Sequence, residues 1–461
     1  MTVFKMRRKK KNVIQLDNQP LFSNKFLLKL LWPLLVEQFL LFAVGLIDSM
    51  MVASVGEAAV SAVSLVDSII ILMINIMAAL ATGGAVVVGQ YLGQKKDDEA
   101  RSASDQLVLS AFLLSMVIVV VMYIFKNGIM SLVFGDIEAD VRHYCDIYYL
   151  IVTASIPFIG IYNASAALFR NIGRSNTTMK ISILMNIINV TGNAILIFGL
   201  GCGVEGVAIP TLVSRIVAAV AIYILLRNPQ LQVHISKKPV LKPNWGYIRK
   251  ILKIGVPNGV ENSMFQLGKL ILLSLIATFG TSAIAANAVG NAIAMVGCLT
   301  GMAMNLAVVP VISRCVGAGD YQQARYYTHK LMKWTYGFLV VGSLIVWFCL
   351  PLLLKIYGLS DETAELAFEI LTINCFSVIV IWPLSFTLPN ILRAAGDVTF
   401  TMIVCVVSMW IFRIGCAYFM GQFLGMGLIG VWVAMIIDWA VRTVFFIARY
   451  KSGKWKKGAV V

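Results

Sequence analysis

Long apolar runs recur along almost the whole chain, at roughly 26–53, 58–88, 103–125, 141–168, 177–200, 206–227, 248–278, 283–312, 329–354, 365–391, 401–421 and 428–448. A helix needs about 20 apolar residues to cross a bilayer, and several of these runs exceed that, which allows tilt without fixing it. The pattern predicts an all-α integral membrane protein with twelve transmembrane helices. An even number of spans places both termini on one side. Prolines inside the runs (Pro33, Pro157, Pro210, Pro257, Pro310, Pro383, Pro389) predict kinked helices, which a membrane bundle tolerates.

The pattern also repeats. Displaced by 224 residues, Pro33–Arg101 lies over Pro257–Arg325 without a gap, matching Pro33 with Pro257, Glu37 with Glu261, Gly56 with Gly280 and Gly93 with Gly317. Later, Leu168-Phe169-Arg170-Asn171-Ile172-Gly173 answers to Ile391-Leu392-Arg393-Ala394-Ala395-Gly396, each followed by a Thr-Met pair. Gly203–Val207 answers to Gly427–Val431. Two pseudo-symmetric six-helix bundles follow: a tail over 1–24, an N-lobe over 25–227, a linker over 228–247, a C-lobe over 248–450 and a basic tail over 451–461. Six spans per half insert both halves in the same orientation, with a cleft between them, as in secondary transporters that rock about a central site.

Composition narrows the class further. With 59% hydrophobic and 13% charged residues, the 461-residue chain lacks the polar surface of a soluble enzyme or a secreted disulfide scaffold. Its eight cysteines are scattered without a C-x-x-C pair, and its three histidines stand far apart, so no metal site or disulfide framework is expected. The net charge of +16 has a topological reading. Thirty-one of the 38 Lys and Arg fall at the two ends or in the connections on their side, whereas the opposite face holds Lys126, Arg142 and Lys355 among Glu57, Asp136, Glu138, Asp140, Glu205, Asp361, Glu362 and Glu365. The positive-inside rule then makes both termini and the linker cytoplasmic, in a multi-pass plasma (inner) membrane protein. The basic charge faces anionic lipid, and no nucleic-acid partner is expected.

Ionisable groups inside the spans are the candidate chemistry, because each costs about 2.5–3.5 kcal/mol at the bilayer centre on insertion scales. They are Glu37, Asp48, Asp67, Arg215, Glu261, Lys269, Arg413, Asp438 and Arg442. Glu37 and Asp48 return to one face of the first helix, roughly 16 Å apart. The seventh helix repeats Glu37 as Glu261 but has Leu272 where Asp48 stands, an asymmetry that favours a functional Asp48. The fifth helix carries Asn186, Asn189 and Asn193 on one stripe, and the sixth adds Thr211. Such amides serve equally as cation ligands or as bonds between helices. The seventh helix is the most polar, with Asn258, Glu261, Asn262, Gln266 and Lys269; Asn287, Asn291 and Asn305 of the eighth are expected to share its cavity. Arg413, Asp438 and Arg442 read as a structural ion pair between the last two helices, and Arg215 with Lys269 as too few cations for an anionic substrate.

Two six-span halves, the Pro33…Gly56 and Pro257…Gly280 helices, the Arg170…Gly173 and Arg393…Gly396 motifs and Asn193-Ala-Ile-Leu-Ile-Phe-Gly199 together resemble the multidrug and toxic compound extrusion (MATE) transporters of the MOP flippase superfamily, over essentially 25–450. The resemblance implies a secondary antiporter that exports amphipathic, cationic small molecules in exchange for Na⁺ or H⁺, with no cofactor, working as a monomer. In one branch, an aspartate in helix one, an asparagine and an aspartate one turn apart in helix five, and a threonine in helix six form the coupling site. Asp48, Asn189 and Thr211 match, and Asn193 stands where that branch has aspartate. The expected cation-coupling set is therefore Asp48, Asn189, Asn193 and Thr211, with Na⁺ at the first three. Glu37, Glu261, Asn262, Gln266, Asn287 and Asn291 are the expected substrate and cavity residues. Another branch uses a helix-seven glutamate with a helix-ten aspartate, but here no acid lies between Glu369 and Asp397. The nearest alternative is a lipid-linked saccharide flippase of the same superfamily, which calls for a more cationic cavity. No Ser/His/Asp set, paired histidine or phosphate loop suggests an enzyme, and no short pore repeat suggests a channel.

Overall fold

The computed structural model describes residues 20–134, 138–236, 238 and 240–461. Most of the basic N-terminal tail, Asp136, and Lys237 and Pro239 of the linker lie outside the described residues. The described residues are mostly helical. Twelve spans follow in order: α1 Asn24–Ala53, α2 Glu57–Gly93, α3 Asp97–Ile124, α4 formed by Ala139–Thr153 and Ile156–Asn171, α5 Ser175–Gly199, and α6 Glu205–Leu226. The second half repeats them as α7 Trp245–Ala277, α8 Thr281–Gly317, α9 Tyr321–Ile356, α10 Asp361–Val380 continued through Pro383–Thr387 and Leu388–Ala394, α11 Val398–Phe423 and α12 Gly427–Ser452. A short helix, Lys126–Phe134, lies between α3 and α4.

Breaks in the helices have local causes. The two parts of α4 meet at 44°, where Pro157 sits in the first turn of the second part and cannot donate to the turn before it. At the break, Ser155 N and Oγ both donate to Val152 O, the hydroxyl at 2.6 Å. Among the described residues the N-lobe has one π-helical turn, at the end of α5 (Ile195–Gly199), and the C-lobe three: Pro383–Thr387 in α10, and Met409–Gly415 and Phe419–Phe423 in α11. A π turn inserts a residue into a helix and tends to mark functional positions. The repeat offset is 223 residues at Arg170/Arg393 and 224 at Gly203/Gly427, so one residue has been added between these points. Of the two π turns without an N-lobe counterpart, Met409–Gly415 lies in that interval and can absorb the added residue.

The two lobes are tied together at the end that carries both termini. Leu27, Leu30, Leu31 and Leu34 of α1 are buried in the C-lobe core with α8, α9 and α10, while Ile251 and Ile254 of α7 are buried in the N-lobe core with α2, α3 and α4. Each lobe thus lends the first half of its first helix to the other. Contact is close enough to require glycine: a Cβ on Gly83 would meet Ile251 O at 2.6 Å. Hydrogen bonds between lobes gather here too, with Lys250 Nζ donating to Tyr91 OH at 2.8 Å and Arg314 Nη2 to Asn171 O at 2.5 Å. The linker packs on the same end. Leu231, Val233 and Ile235 join the N-lobe core, and Asp105 accepts from Ser236 N at 2.9 Å. The C-terminal segment also folds back: Trp455 is fully buried and stacks on Tyr450, and Val460 N donates to Gln90 Oε1 at 2.9 Å.

Candidate functional site

Five helices of the N-lobe bring polar side chains to one place. Asp48 comes from α1, half-buried, and meets the buried stripe of α5. Asn193 Nδ2 donates to Asp48 Oδ1 at 2.8 Å. Asn189, in the amide orientation that satisfies both neighbours, donates to the same oxygen at 2.9 Å and accepts from Thr211 Oγ1 of α6 at 3.1 Å. Residues four apart on a helix share a face, which is why Asn189 and Asn193 can both reach one carboxylate. The four residues read from the sequence as a set therefore form one contiguous cluster. Asn193 Oδ1 is buried without a hydrogen-bond partner, a free carbonyl acceptor beside a carboxylate.

Three further residues complete the cluster. Asp67 of α2 acts on Asp48 electrostatically and accepts a hydrogen bond from Tyr148 OH of α4 at 3.0 Å. Arg215 of α6 lies within electrostatic reach of both carboxylates and donates through Nη1 to Ser155 Oγ at 2.7 Å. Asp67 and Arg215 stood out in the sequence as charges within spans, but nothing in their spacing joined them to Asp48, and Tyr148 gave no signal at all. The cluster has two carboxylates against one guanidinium. A second acid thus returns from α2, although α5 has Asn193 where one MATE branch has aspartate.

Glu37 and Glu261 occupy a different setting from the open cavity that charge within a span suggested. Glu37 is 2% exposed, with Arg170 Nη2 at 2.7 Å and Thr178 Oγ1 at 3.2 Å. Glu261 is paired with Arg393 Nη2 in the same way, and Arg393 Nη1 donates to Asn390 Oδ1 at 2.8 Å. The two pairs are repeat equivalents. Each holds the first helix of its lobe to the last turn of the fourth, and each carboxylate is already compensated. An inter-lobe cavity of about 80 Å³, lined by Ala78, Thr82, Asn163, Arg170, Asn171 and Pro310, adjoins the first pair and is too small for a drug-sized ligand.

The remaining C-lobe candidates are dispersed. Asn262 and Gln266 are half-buried on α7, and no hydrogen bond among the described residues engages their side chains. Asn287 Oδ1 accepts from Trp432 Nε1 at 3.2 Å, and Asn291 Nδ2 returns to Asn287 O at 2.8 Å, so both serve α8 and its neighbours. Asp438 is fully buried, with Arg442 Nη2 at 2.7 Å one turn along α12 and Arg413 Nη1 of α11 at 3.9 Å. That is the ion pair the sequence suggested, though its close partner lies on the same helix.

Comparison with known proteins agrees with this architecture. The MatE family profile matches residues 33–195 and 257–419, the same 224-residue displacement as the internal repeat. The chain is 28% identical over 447 residues to the uncharacterized transporter YisQ of Bacillus subtilis, covering 93% of this chain and 94% of that one. It is 24% identical to the probable multidrug resistance protein NorM of Thermotoga maritima, over 95% and 94% of the two chains. Among solved structures, a MOP superfamily transporter from Pyrococcus furiosus superposes with a TM-score of 0.88 at 19% identity, covering 97% of this chain and all of that one. An outward-facing MATE family multidrug transporter superposes at 0.84 with 20% identity, over 94% and 96%. Two repeats of six helices, matched twice by one profile at one displacement, make the chain a member of the MatE family of multi-pass membrane transporters.

Proposed function

We propose that the protein is an antiporter that exports amphipathic small molecules of cationic character in exchange for Na⁺ or H⁺, with Asp48 as the coupling group. The observation that carries this reading is the Asp48 carboxylate beside the unpartnered carbonyl oxygen of Asn193. Hard oxygen donors on a carboxylate suit Na⁺. A proton on Asp48 or Asp67 would balance the cluster's excess negative charge equally well. Asn189 and Asn193 now donate to Asp48 and stabilise its ionised form; turning the amides over would present their oxygens to a cation.

Both termini and the linker belong on the cytoplasmic side in this reading, as the basic charge on that face supports. The lobes are packed together at that end, which fits a state that opens to the outside, in which the coupling ion enters and a bound substrate leaves. With the cleft facing the cytoplasm, Asp48 is ion-free and accepts substrate. Exchange requires only that ion and substrate stabilise different states. The experiment is ethidium efflux from cells lacking their own exporters, energised separately by a sodium and a proton gradient. Efflux driven by one gradient and lost in Asp48→Asn is expected; undiminished efflux in that variant, at normal protein levels, refutes the role of Asp48.

A further inference from the structure

The C-lobe holds positive charge that its own acids do not balance. Phe265 of α7 is surrounded by three cations: Lys269 Nζ at 5.0 Å from the ring centroid, Arg413 Cζ at 5.2 Å and Arg442 Cζ at 5.9 Å. The Glu261–Arg393 pair nearby is neutral in sum. Asp438 is the remaining acid, and it is engaged chiefly by Arg442, with Arg413 at the longer distance. Arg413 is 9% exposed and its Nε is buried without a hydrogen-bond partner. Lys269 has no ion-pair or hydrogen-bond partner among the described residues, yet its side chain is exposed. An ammonium is costly in hydrocarbon, so the exporter reading turns Lys269 toward the cleft between the lobes. An aromatic face attracts each cation but does not relieve the repulsion among three of them.

We infer that Lys269, Arg413 and the face of Phe265 form an anion-recognition subsite, so that among exported molecules those carrying a carboxylate or phosphate on an aromatic or apolar body bind preferentially. The inference rests on the exporter reading and refines its substrate class. A substrate spanning the cleft places a cationic group toward Asp48 and Asp67 and an anionic one toward Lys269. Guanidinium and ammonium donors supply the charge-assisted hydrogen bonds an oxyanion needs. The body of the molecule stacks on Phe265. A lipid headgroup could offer the same anionic chemistry, and the two sources are separable.

The test uses the purified full chain in nanodiscs of neutral phosphatidylcholine and measures equilibrium binding, by fluorescence polarisation, of a rhodamine bearing a free carboxylate and of its methyl ester. The two differ only in the anionic group. The free acid is expected to bind about tenfold more tightly, as one charge-assisted contact supplies. Lys269→Gln is expected to bring the acid-to-ester ratio near one, and Lys269→Arg to restore it. A wild-type ratio of one or less, or a ratio unaltered in Lys269→Gln, overturns the subsite. Loss of the preference in nanodiscs containing phosphatidylglycerol assigns the cluster to lipid headgroups and overturns the substrate reading. No ion gradient enters this measurement, so it stands or falls independently of coupling at Asp48.

Discussion

The two lobes share a backbone plan and differ in the sign of the charge they hold within the membrane. In the N-lobe, Asp48 and Asp67 outnumber Arg215. In the C-lobe, Lys269, Arg413 and Arg442 outnumber Asp438 around Phe265. The repeat shows where the divergence arose. Asp48 has Leu272 at its equivalent position, Lys269 has Gly45, and the α11 segment corresponding to the Asn189 region carries Arg413 inside the additional π turn. What the lobes have in common is structural: the Glu37–Arg170 and Glu261–Arg393 pairs occur in both. Matched residues brace the fold, and the proposed chemistry rests on unmatched ones.

This comparison can be broken at its symmetric and asymmetric points separately. The largest effect is expected at the shared ion pairs. Glu37→Gln and Glu261→Gln each leave a buried guanidinium unpaired and should destabilise the protein by similar amounts, about 3–5 kcal/mol, in thermal unfolding in detergent. A large difference between the two would show that one pair is more than a brace. Next comes Asp48→Asn, which removes the carboxylate proposed to couple transport; coupling-ion affinity, read from ion-dependent tryptophan fluorescence, should fall about a hundredfold. Asp67→Asn should weaken the same affinity by about tenfold, because it removes one negative charge from the cluster without removing the group that Asn189 and Asn193 hold. The smallest effect is expected for Asn287→Ala, which gives up one hydrogen bond to Trp432 and should cost about 1 kcal/mol with no change in coupling.

The architecture was legible because bilayer thickness imposes a length on each apolar run and the repeat is written in the chain itself. Asp48, Asn189, Asn193 and Thr211 were legible for two reasons: helical spacing puts Asn189 and Asn193 on one face, and the MATE resemblance supplied the other members. Pairing over long separations was not legible. Arg170 lies 133 residues from Glu37 and Arg393 lies 132 from Glu261, so each glutamate looked like a solitary charge in a span. Asp67 and Tyr148 are 81 residues apart, and only the packing of α2 against the first part of α4 brings them together. The additional π turn did leave a trace, in the change of repeat offset from 223 to 224. The positive cluster in the C-lobe was hidden for a related reason. Lys269, Arg413 and Arg442 come from α7, α11 and α12, and a charge balance appears only when all three converge on one ring.

The most direct test of the account is competition between ion and substrate on the purified protein. Ethidium binding is measured across a range of Na⁺ concentrations at fixed pH, and across a range of pH without Na⁺. One of the two cations is expected to displace ethidium in the wild type, and the displacement to disappear in Asp48→Asn. Binding that is indifferent to both cations, or competition that survives intact in Asp48→Asn, would contradict it.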